Sequence, residues 1–414
     1  MYKFEKKLLN YFSLNNNHFL SINKKYFLKL GFKIMTEKKE LGLAVVGCGV
    51  VGRIRATLAK DYPGIGWIGL SDMNEGVGQK LKNDINADYY TNDFRELIRR
   101  PEVDAVIVAT STWAHVEPTL TAVEQGHKLF IEKPLATDAR QSLEILSAIE
   151  SNNIDAVIGY TQRFRRRFLV VKERIQSGQI GEFNCAVVRA FMNRMAPTGE
   201  TRLTQDRRYL TPMVVSGTHS LDMAFWLMGD AGKPVSIYAR SRDVIMKELG
   251  TKDATFGLFT MENGSMFSMN ICWALPKEWP GAVYGLEIGI VGTEGVIDIE
   301  DTHRDVILAT ENPQGPAYVP DGNTKGLTEV QRNVDFLTSF PPGDIHDGEL
   351  WGPMREETNS WFQRIYSGKQ TPHATAAEGH RNLMLTMAMD LSAKRGKEIK
   401  LPIDPDELMT GLDE

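Results

Sequence analysis

The sequence predicts a mixed fold: a doubly wound parallel α/β layer first, then an α+β layer built on a mostly antiparallel sheet. Three observations lead there. From Leu41 to about Val157 short apolar runs alternate with helical patterns, the rhythm of βαβ units. A glycine pattern, GCGVVG, stands at the first strand-to-helix junction. Beyond about residue 180 the apolar segments lengthen, and ENGS and GTEG join them as hairpin-like turns, which favours antiparallel pairing.

In order, LGLAVVG, WIGLSD, DAVIVAT, HKLFIE and DAVIG are the strand candidates of the first layer. Between them RIRATLAKDY, EGVGQKLKND, DFRELIRR, AHVEPTLTAVEQG and ATDARQSLEILSAIESN repeat apolar residues at helical spacing, several ending in Gly or Asn. The second layer offers EFNCAVVRAFM, PVSIYARSRDV, ATFGLFTM, SMFSMNICW, VYGLEIGIVG and GVIDIED as strands, with HSLDMAFWLMG a helix among them. Two helical stretches, ELWGPMREETNSWFQRIYSG and AAEGHRNLMLTMAMDLSAKRG, precede the terminal KEIKLPID. No period of about 20 to 50 residues recurs, which excludes a solenoid or propeller.

The chain's 414 residues suggest two domains, 41–160 and 161–414, behind an appended segment, 1–40. That segment carries nine Lys against three Glu and many Asn, Phe and Tyr. It lacks the apolar h-region of a secretory signal and the Arg of a transit peptide. Met35 precedes TEKKELGLAVVG, so the expectation is a working protein that begins there, with the upstream part disordered or not native. Hydrophobic residues make up 42% and charged ones 24%, a globular balance. A net charge of -5 gives no reason to expect nucleic acid or an anionic membrane as partner, and no run approaches the roughly 18 apolar residues of a membrane span. Cys48, Cys185 and Cys272 are far apart and odd in number, which points to neither a disulfide framework nor a metal site. A reducing, cytoplasmic setting fits.

GCGVVG follows an apolar strand and opens a helix, the context that a Rossmann dinucleotide turn requires. Gly47 permits the tight turn, Gly49 lets a pyrophosphate reach the backbone, and Gly52 lets helix and strand pack closely; Val50 and Val51 complete the turn. Asp72 ends the second strand twenty residues after Gly52, the spacing of the acid that bonds the adenosine ribose. A carboxylate there repels a 2′-phosphate and the following MNEG offers no Arg, so NAD is favoured over NADP.

Taken together, GCGVVG, ATSTWAHVEPTLTAVEQGHKLFIEKPLATD and GYTQRFRRRFLVVKERIQSGQIGEF resemble the Gfo/Idh/MocA family of oxidoreductases, from about Leu41 to Pro402. The resemblance implies nicotinamide and a polyol or sugar at the mouth of the Rossmann sheet, against an open-faced antiparallel sheet that builds homodimers or homotetramers. The family's EKP lysine falls on Lys133, which would polarise a substrate hydroxyl and assist proton transfer. At a strand end an ammonium also has a physical reason to act, because it stabilises an alkoxide as hydride leaves. Glu132 either pairs with Lys133 or contacts the cofactor ribose. Thr110 and His115 match the loop along the cofactor, although His115 equally suits a capping or core histidine. Tyr160 and Arg163 stand where the family's substrate pocket begins.

One departure matters. Many members carry DxxxHxxD in the second domain, whereas this chain reads VSGTHSLD, with His219 and Asp222 in place but Val215 for the first Asp. Valine neither orients an imidazole nor relays a proton. His219 is expected as acid or base, and Asp222 as a partner to the imidazole or a substrate hydroxyl, or as a plain first-turn acid on the helix dipole. Trp273, Trp279 and Tyr284 border a Pro and Gly loop, where aromatic faces suit sugar rings as well as they suit ordinary packing. The expected activity is hydride transfer between a secondary hydroxyl of a cyclic polyol or sugar and NAD. A redox-neutral NAD-using lyase or glycosidase, and a non-catalytic dinucleotide-binding subunit, stay open as alternatives.

Overall fold

Runs of Val, Ile and Leu with few polar interruptions make strands that are buried on both faces, and five of the six strands of the first layer are of this kind. The six are β1 (Leu41–Val46), β2 (Ile65–Ser71), β3 (Tyr89–Thr91), β4 (Ala105–Val108), β5 (Lys128–Glu132) and β6 (Ala156–Gly159). All pair in parallel, in the order β3-β2-β1-β4-β5-β6. The helices α1 (Val50–Lys60), α2 (Glu75–Ile85), α3 (Phe94–Ile98), α4 (Val116–Glu124) and α5 (Ala139–Ser151) form the connections. Asn74 and Asp93 cap α2 and α3 with their side chains, and Asp138 caps α5 through two backbone N–H groups. β3 is the one strand of this sheet that the pattern of apolar runs does not reveal. Its three residues, YYT, are too short and too polar to stand out.

The structure is a computed structural model that describes residues 40–195, 209–229, 232–281, 283–301, 306–312, 333–338 and 340–414. The appended segment, apart from Glu40, lies outside them, as does the side chain of Tyr284. After a short 3-10 turn (Thr161–Phe164) and helix α6 (Arg166–Gln176) comes β7 (Phe183–Asn193). A π-helical turn (Met213–Gly217) then leads directly into α7 (Thr218–Met228). The second sheet is completed by β8 (Pro234–Arg242), β9 (Ala254–Met261), β10 (Met266–Leu275), β11 (Val283–Gly292) and β12 (Val296–Asp301), in the order β12-β11-β7-β10-β9-β8-β17, where β17 is Ile399–Lys400. Every neighbouring pair is antiparallel except β7 with β10. Short strand pairs β13–β14 (Ile307–Ala309, Val334–Phe336) and β15–β16 (Asp344–His346, Glu349–Trp351) precede the long helices α8 (Pro353–Ser367) and α9 (Ala376–Arg395), and α10 (Pro405–Asp413) closes the chain.

Alternation along β1 divides the core. Leu43 and Val45 face one buried cluster with Leu70, Phe130, Trp361 and Phe362, so α8 covers that side. Ala44 and Val46 face the other, which runs on through Ile131, Ile158 and Leu383 to Phe259, Phe267 and Ile271 of the second sheet. One face of the parallel sheet and the inner face of the second sheet therefore share a core, with α9 packed between them and Ser392 accepting from Ala239 N–H at 2.9 Å. No helix among the described residues is long and apolar enough to cross a membrane.

Candidate active site

Strand order reverses between β1 and β4, and at such a switch point the carboxyl ends of the strands open a crevice for ligands. The glycine turn lies there. Gly47 has φ +97°, which an L side chain rarely adopts, and a Cβ at that position would stand 2.4 Å from Ala109 O. A Cβ at Gly52 would stand 1.8 Å from Gly47 O, so this glycine is demanded by packing. Gly49 differs from both, because a Cβ there would meet nothing within 4 Å. Gly49 is also the N-cap of α1 and gives it no side-chain cap. Open space in front of uncapped helix N–H groups suits a phosphate. Val50 and Val51 open the helix, Val50 half-exposed.

Just past β2, Asp72 accepts from Cys48 N–H and Asn74 N–H, both at 2.8 Å, one on each carboxylate oxygen. Each oxygen keeps a lone pair for a ribose hydroxyl. Burial, then the Asp72 charge, pushes the Cys48 thiol up to about 12. Thr110 follows β4. His115 is buried, and its ring nitrogens stand 2.9 Å from Pro134 O and 3.2 Å from Thr110 O. The imidazole thus sits between the turn that carries Lys133 and the loop after β4, facing a backbone carbonyl on each side, and a neutral ring donates to one of the two.

Lys133 stands immediately beyond β5 and donates to Val215 O at 3.1 Å. The residue that replaces the expected aspartate therefore meets the lysine after all, through its main chain. The π-helical turn contains both Val215 and Ser216, whose hydroxyl accepts from Trp273 Nε1 at 2.9 Å. Next along α7, His219 is part-exposed, but its Nδ1 is enclosed and has no hydrogen-bond partner among the described residues. Burial, reinforced by the Lys133 charge, holds His219 well below its ordinary pKa. Tyr160 lies edge-on to the His219 ring at 5.9 Å and shares a 2.7 Å hydrogen bond with the Thr218 hydroxyl. Its own hydroxyl is held above its ordinary pKa by burial.

Four expected contacts are placed otherwise. Arg163 and Asp222 meet each other in a two-pronged pair at 2.6 and 2.7 Å, with Glu378 and Asn382 as further partners. Both are buried, and a guanidinium taken out of water needs carboxylates around it. They form an internal brace between the Thr161–Phe164 turn and α7. Trp273 is a core residue of β10, 1% exposed, and not part of the loop. Glu132 accepts not from Lys133 but from Arg55, at 2.6 Å.

Arg55 is the functional-site neighbour that motif reading overlooks. The buried positions of α1 are Gly52, Arg55, Ala56 and Ala59, so an arginine occupies the core stripe of a helix. Such a residue signals buried acids elsewhere in the chain. The acids are Glu132 and Glu357, with Thr358 alongside. Burial, then the Glu132 charge, raises the pKa of Glu357.

A glycine turn open at the N-terminus of α1, beside a carboxylate and with a lysine and a histidine beyond the next strands, is the arrangement expected of a pyridine-nucleotide oxidoreductase. Residues 41–160 match the family described as "Oxidoreductase family, NAD-binding Rossmann fold", and residues 168–298 match the "GFO/IDH/MocA C-terminal domain". The chain is 30% identical over 321 residues to an inositol 2-dehydrogenase/D-chiro-inositol 3-dehydrogenase of Shouchella clausii, covering 75% of this chain and 86% of that one. It is 24% identical over 288 residues to the NAD(+) scyllo-inositol 2-dehydrogenase of Bacillus subtilis, covering 68% and 80%. Scyllo-inositol dehydrogenase of Lactobacillus casei, solved with NAD(H) and scyllo-inositol, superposes with a TM-score of 0.66 at 15% identity, over 87% of this chain and 99% of the other. The chain belongs to the Gfo/Idh/MocA family of oxidoreductases.

Proposed function

We propose that the protein is an NAD-dependent dehydrogenase that oxidises a secondary hydroxyl of a cyclic polyol, with inositols the first class to test. The observation that carries this reading is the Lys133 ammonium, fixed at the end of β5 by the Val215 carbonyl and standing beside His219. The glycine turn at Gly47, Gly49 and Gly52, the N-terminus of α1 and Asp72 would hold the dinucleotide, which supplies the hydride acceptor when bound. The inositol dehydrogenases of Shouchella clausii and Bacillus subtilis support the choice of substrate class.

Lys133 spends one N–H on Val215 O and keeps two for a substrate oxygen. As the carbinol carbon gives up hydride and its oxygen gives up a proton, the ammonium stabilises the developing charge. His219 is unprotonated at neutral pH and ready to receive that proton. With Nδ1 enclosed, the exchange falls to Nε2. A base whose charged form is disfavoured by burial passes the proton on and does not keep it. His115 keeps the Lys133 turn in register with the loop after β4. Residues 41–160 and 161–414 act as cofactor and substrate domains. The outer face of the second sheet, with Val187, Phe256, Leu258 and Met266 exposed, joins copies into a homodimer or homotetramer in the cytoplasm.

The test is NADH formation by purified protein with NAD and a panel of inositols, aldoses and uronates, repeated with Lys133→Ala. Inositol-dependent NADH that drops at least about 100-fold in the variant supports the reading. Undiminished turnover in Lys133→Ala, or no NADH formation with any inositol, overturns it.

A further inference from the structure

The side chain that precedes Lys133, and the one that follows Tyr160, lead to the same buried cation. Glu132 takes Arg55 Nε–H at 2.6 Å, while Arg55 donates through Nη1 to Thr358 at 2.7 Å and through Nη2 to Glu357 at 2.7 Å. The guanidinium also lies over the Phe130 ring, 4.0 Å from its centroid. Arg55 is 0% exposed. On the other side, Thr161 donates to the same Glu357 oxygen at 2.7 Å, and its neighbour Tyr160 bonds Thr218, which adjoins His219. The second Glu132 oxygen is packed against β6, where a Cβ at Gly159 would stand 2.8 Å from it. Lys133 is therefore one residue away from the hydrogen-bonded cluster centred on Arg55, whereas His219 is reached from it through the Thr161–Tyr160 peptide link and the separate Tyr160–Thr218 bond. Arg55 in turn belongs to the helix whose first turn follows the glycine cradle.

We infer that Arg55 is a positioning residue for Lys133: its planar fork fixes the end of β5 against α8 and so sets the lysine within reach of the Val215 carbonyl. Only arginine meets the geometry, because three acceptors on two elements lie around one plane. A lysine supplies the charge as a point and cannot span them. Charge alone does not explain the arrangement. Three different N–H groups of one guanidinium each take a separate acceptor, Glu132, Thr358 and Glu357, so the acceptors are arranged by direction.

The kinetic part of the inference rests on the dehydrogenase reading, and the test separates the two. Arg55→Lys and Glu132→Gln are prepared alongside wild type, and NAD-binding stoichiometry gives the fraction of folded sites. Per folded site, kcat is expected to fall on the order of 10- to 100-fold in Arg55→Lys with KM and NAD affinity within about threefold, the signature of misplacement at the reacting centre. Glu132→Gln, which keeps the shape and drops the charge, is expected to fall in between. The readout that needs no activity is acylation of lysines by a soluble active ester, followed residue by residue by mass spectrometry. Lys133 is expected to react several-fold faster in Arg55→Lys, with the other lysines unchanged. Wild-type kcat per folded site, or an unchanged Lys133 acylation rate, overturns the inference. Absence of polyol turnover in wild type removes the dehydrogenase reading instead, and leaves the acylation result to decide this one.

Discussion

Two glycines three residues apart should fail in opposite ways when each becomes alanine. At Gly52 the new methyl would lie 1.8 Å from Gly47 O and 3.4 Å from Ala109 Cβ. The nearer atom is backbone, so no rotamer relieves the clash, and α1 must move outward by more than 1 Å, about the shortfall from van der Waals contact. Overpacking of this kind costs about 3 kcal/mol. Unfolding entropy of ~2.1 cal/mol/K per residue, over the compact unit from Leu41 to Glu414, makes that a Tm drop of about 4 °C without cofactor. At Gly49 the methyl meets nothing within 4 Å, and the backbone, at φ -65° and ψ -167°, accepts any residue. Stability should change by no more than about 1 kcal/mol. The methyl nevertheless occupies the space in front of the uncapped N–H groups, and NAD affinity should fall at least about tenfold, equivalent to 1.4 kcal/mol. Differential scanning calorimetry without cofactor and titration calorimetry with NAD measure the two quantities separately. Wild-type NAD affinity in Gly49→Ala would refute the assignment of the turn as a pyrophosphate cradle. Wild-type Tm in Gly52→Ala would refute the packing argument.

Other expectations follow from the same geometry. Asp72→Asn removes a charged acceptor worth about 1.5–3 kcal/mol. It should weaken NAD about 10- to 100-fold while narrowing the preference over NADP, as read by kcat/KM with each; an unchanged ratio sinks the ribose assignment. Cys48, buried and with its thiol pushed up to about 12 by burial and then by the Asp72 charge, should resist iodoacetamide at mildly alkaline pH until the protein is unfolded, and mass spectrometry that finds it alkylated in the native state contradicts this. His373 is pulled from 6.5 down to about 3, first by burial and then against the help of a hydrogen bond to Glu357 O. Its folded pKa is depressed, so its contribution to stability is whole above pH 6.5 and is lost as pH falls toward 3. By about pH 4.5 the loss is on the order of 2–3 kcal/mol, and His373→Gln should lack that part of the acid dependence in parallel urea titrations. Identical pH slopes in the two proteins would rule it out.

Legibility followed the physics of each signal. The parallel layer was readable because a strand buried on both faces must be a continuous apolar run, and five of its six strands are such runs; β3, three residues of YYT, is held by pairing to β2 and leaves no trace of its own. The antiparallel neighbours of the second sheet were readable from alternation and turns, whereas the parallel pairing of β7 with β10 joins segments far apart in sequence. In the cofactor region, glycine requirements are local, so Gly47, Gly49 and Gly52 could be assigned distinct reasons from six letters. The pairing of Arg163 with Asp222 was not legible because, in sequence, a charged residue near a pocket looks the same whether it faces a ligand or another charge. Their partners Glu378 and Asn382 lie far along the chain on α9.

Val215 is the instructive case. By side chain it is a loss: valine offers His219 no carboxylate, and burial, then the Lys133 charge, holds the imidazole below its ordinary pKa. The backbone compensates in a way that no residue letter encodes, because the π-helical turn at Met213–Gly217 brings the Val215 carbonyl to 3.1 Å from Lys133 Nζ. A carbonyl accepts a hydrogen bond as an aspartate does, but it carries no charge and takes up no proton. It can hold the lysine in place without joining the relay. On the proposed mechanism the division of labour therefore shifts: the main chain, with Arg55, would position Lys133, and His219, whose charged form burial disfavours, would accept the proton.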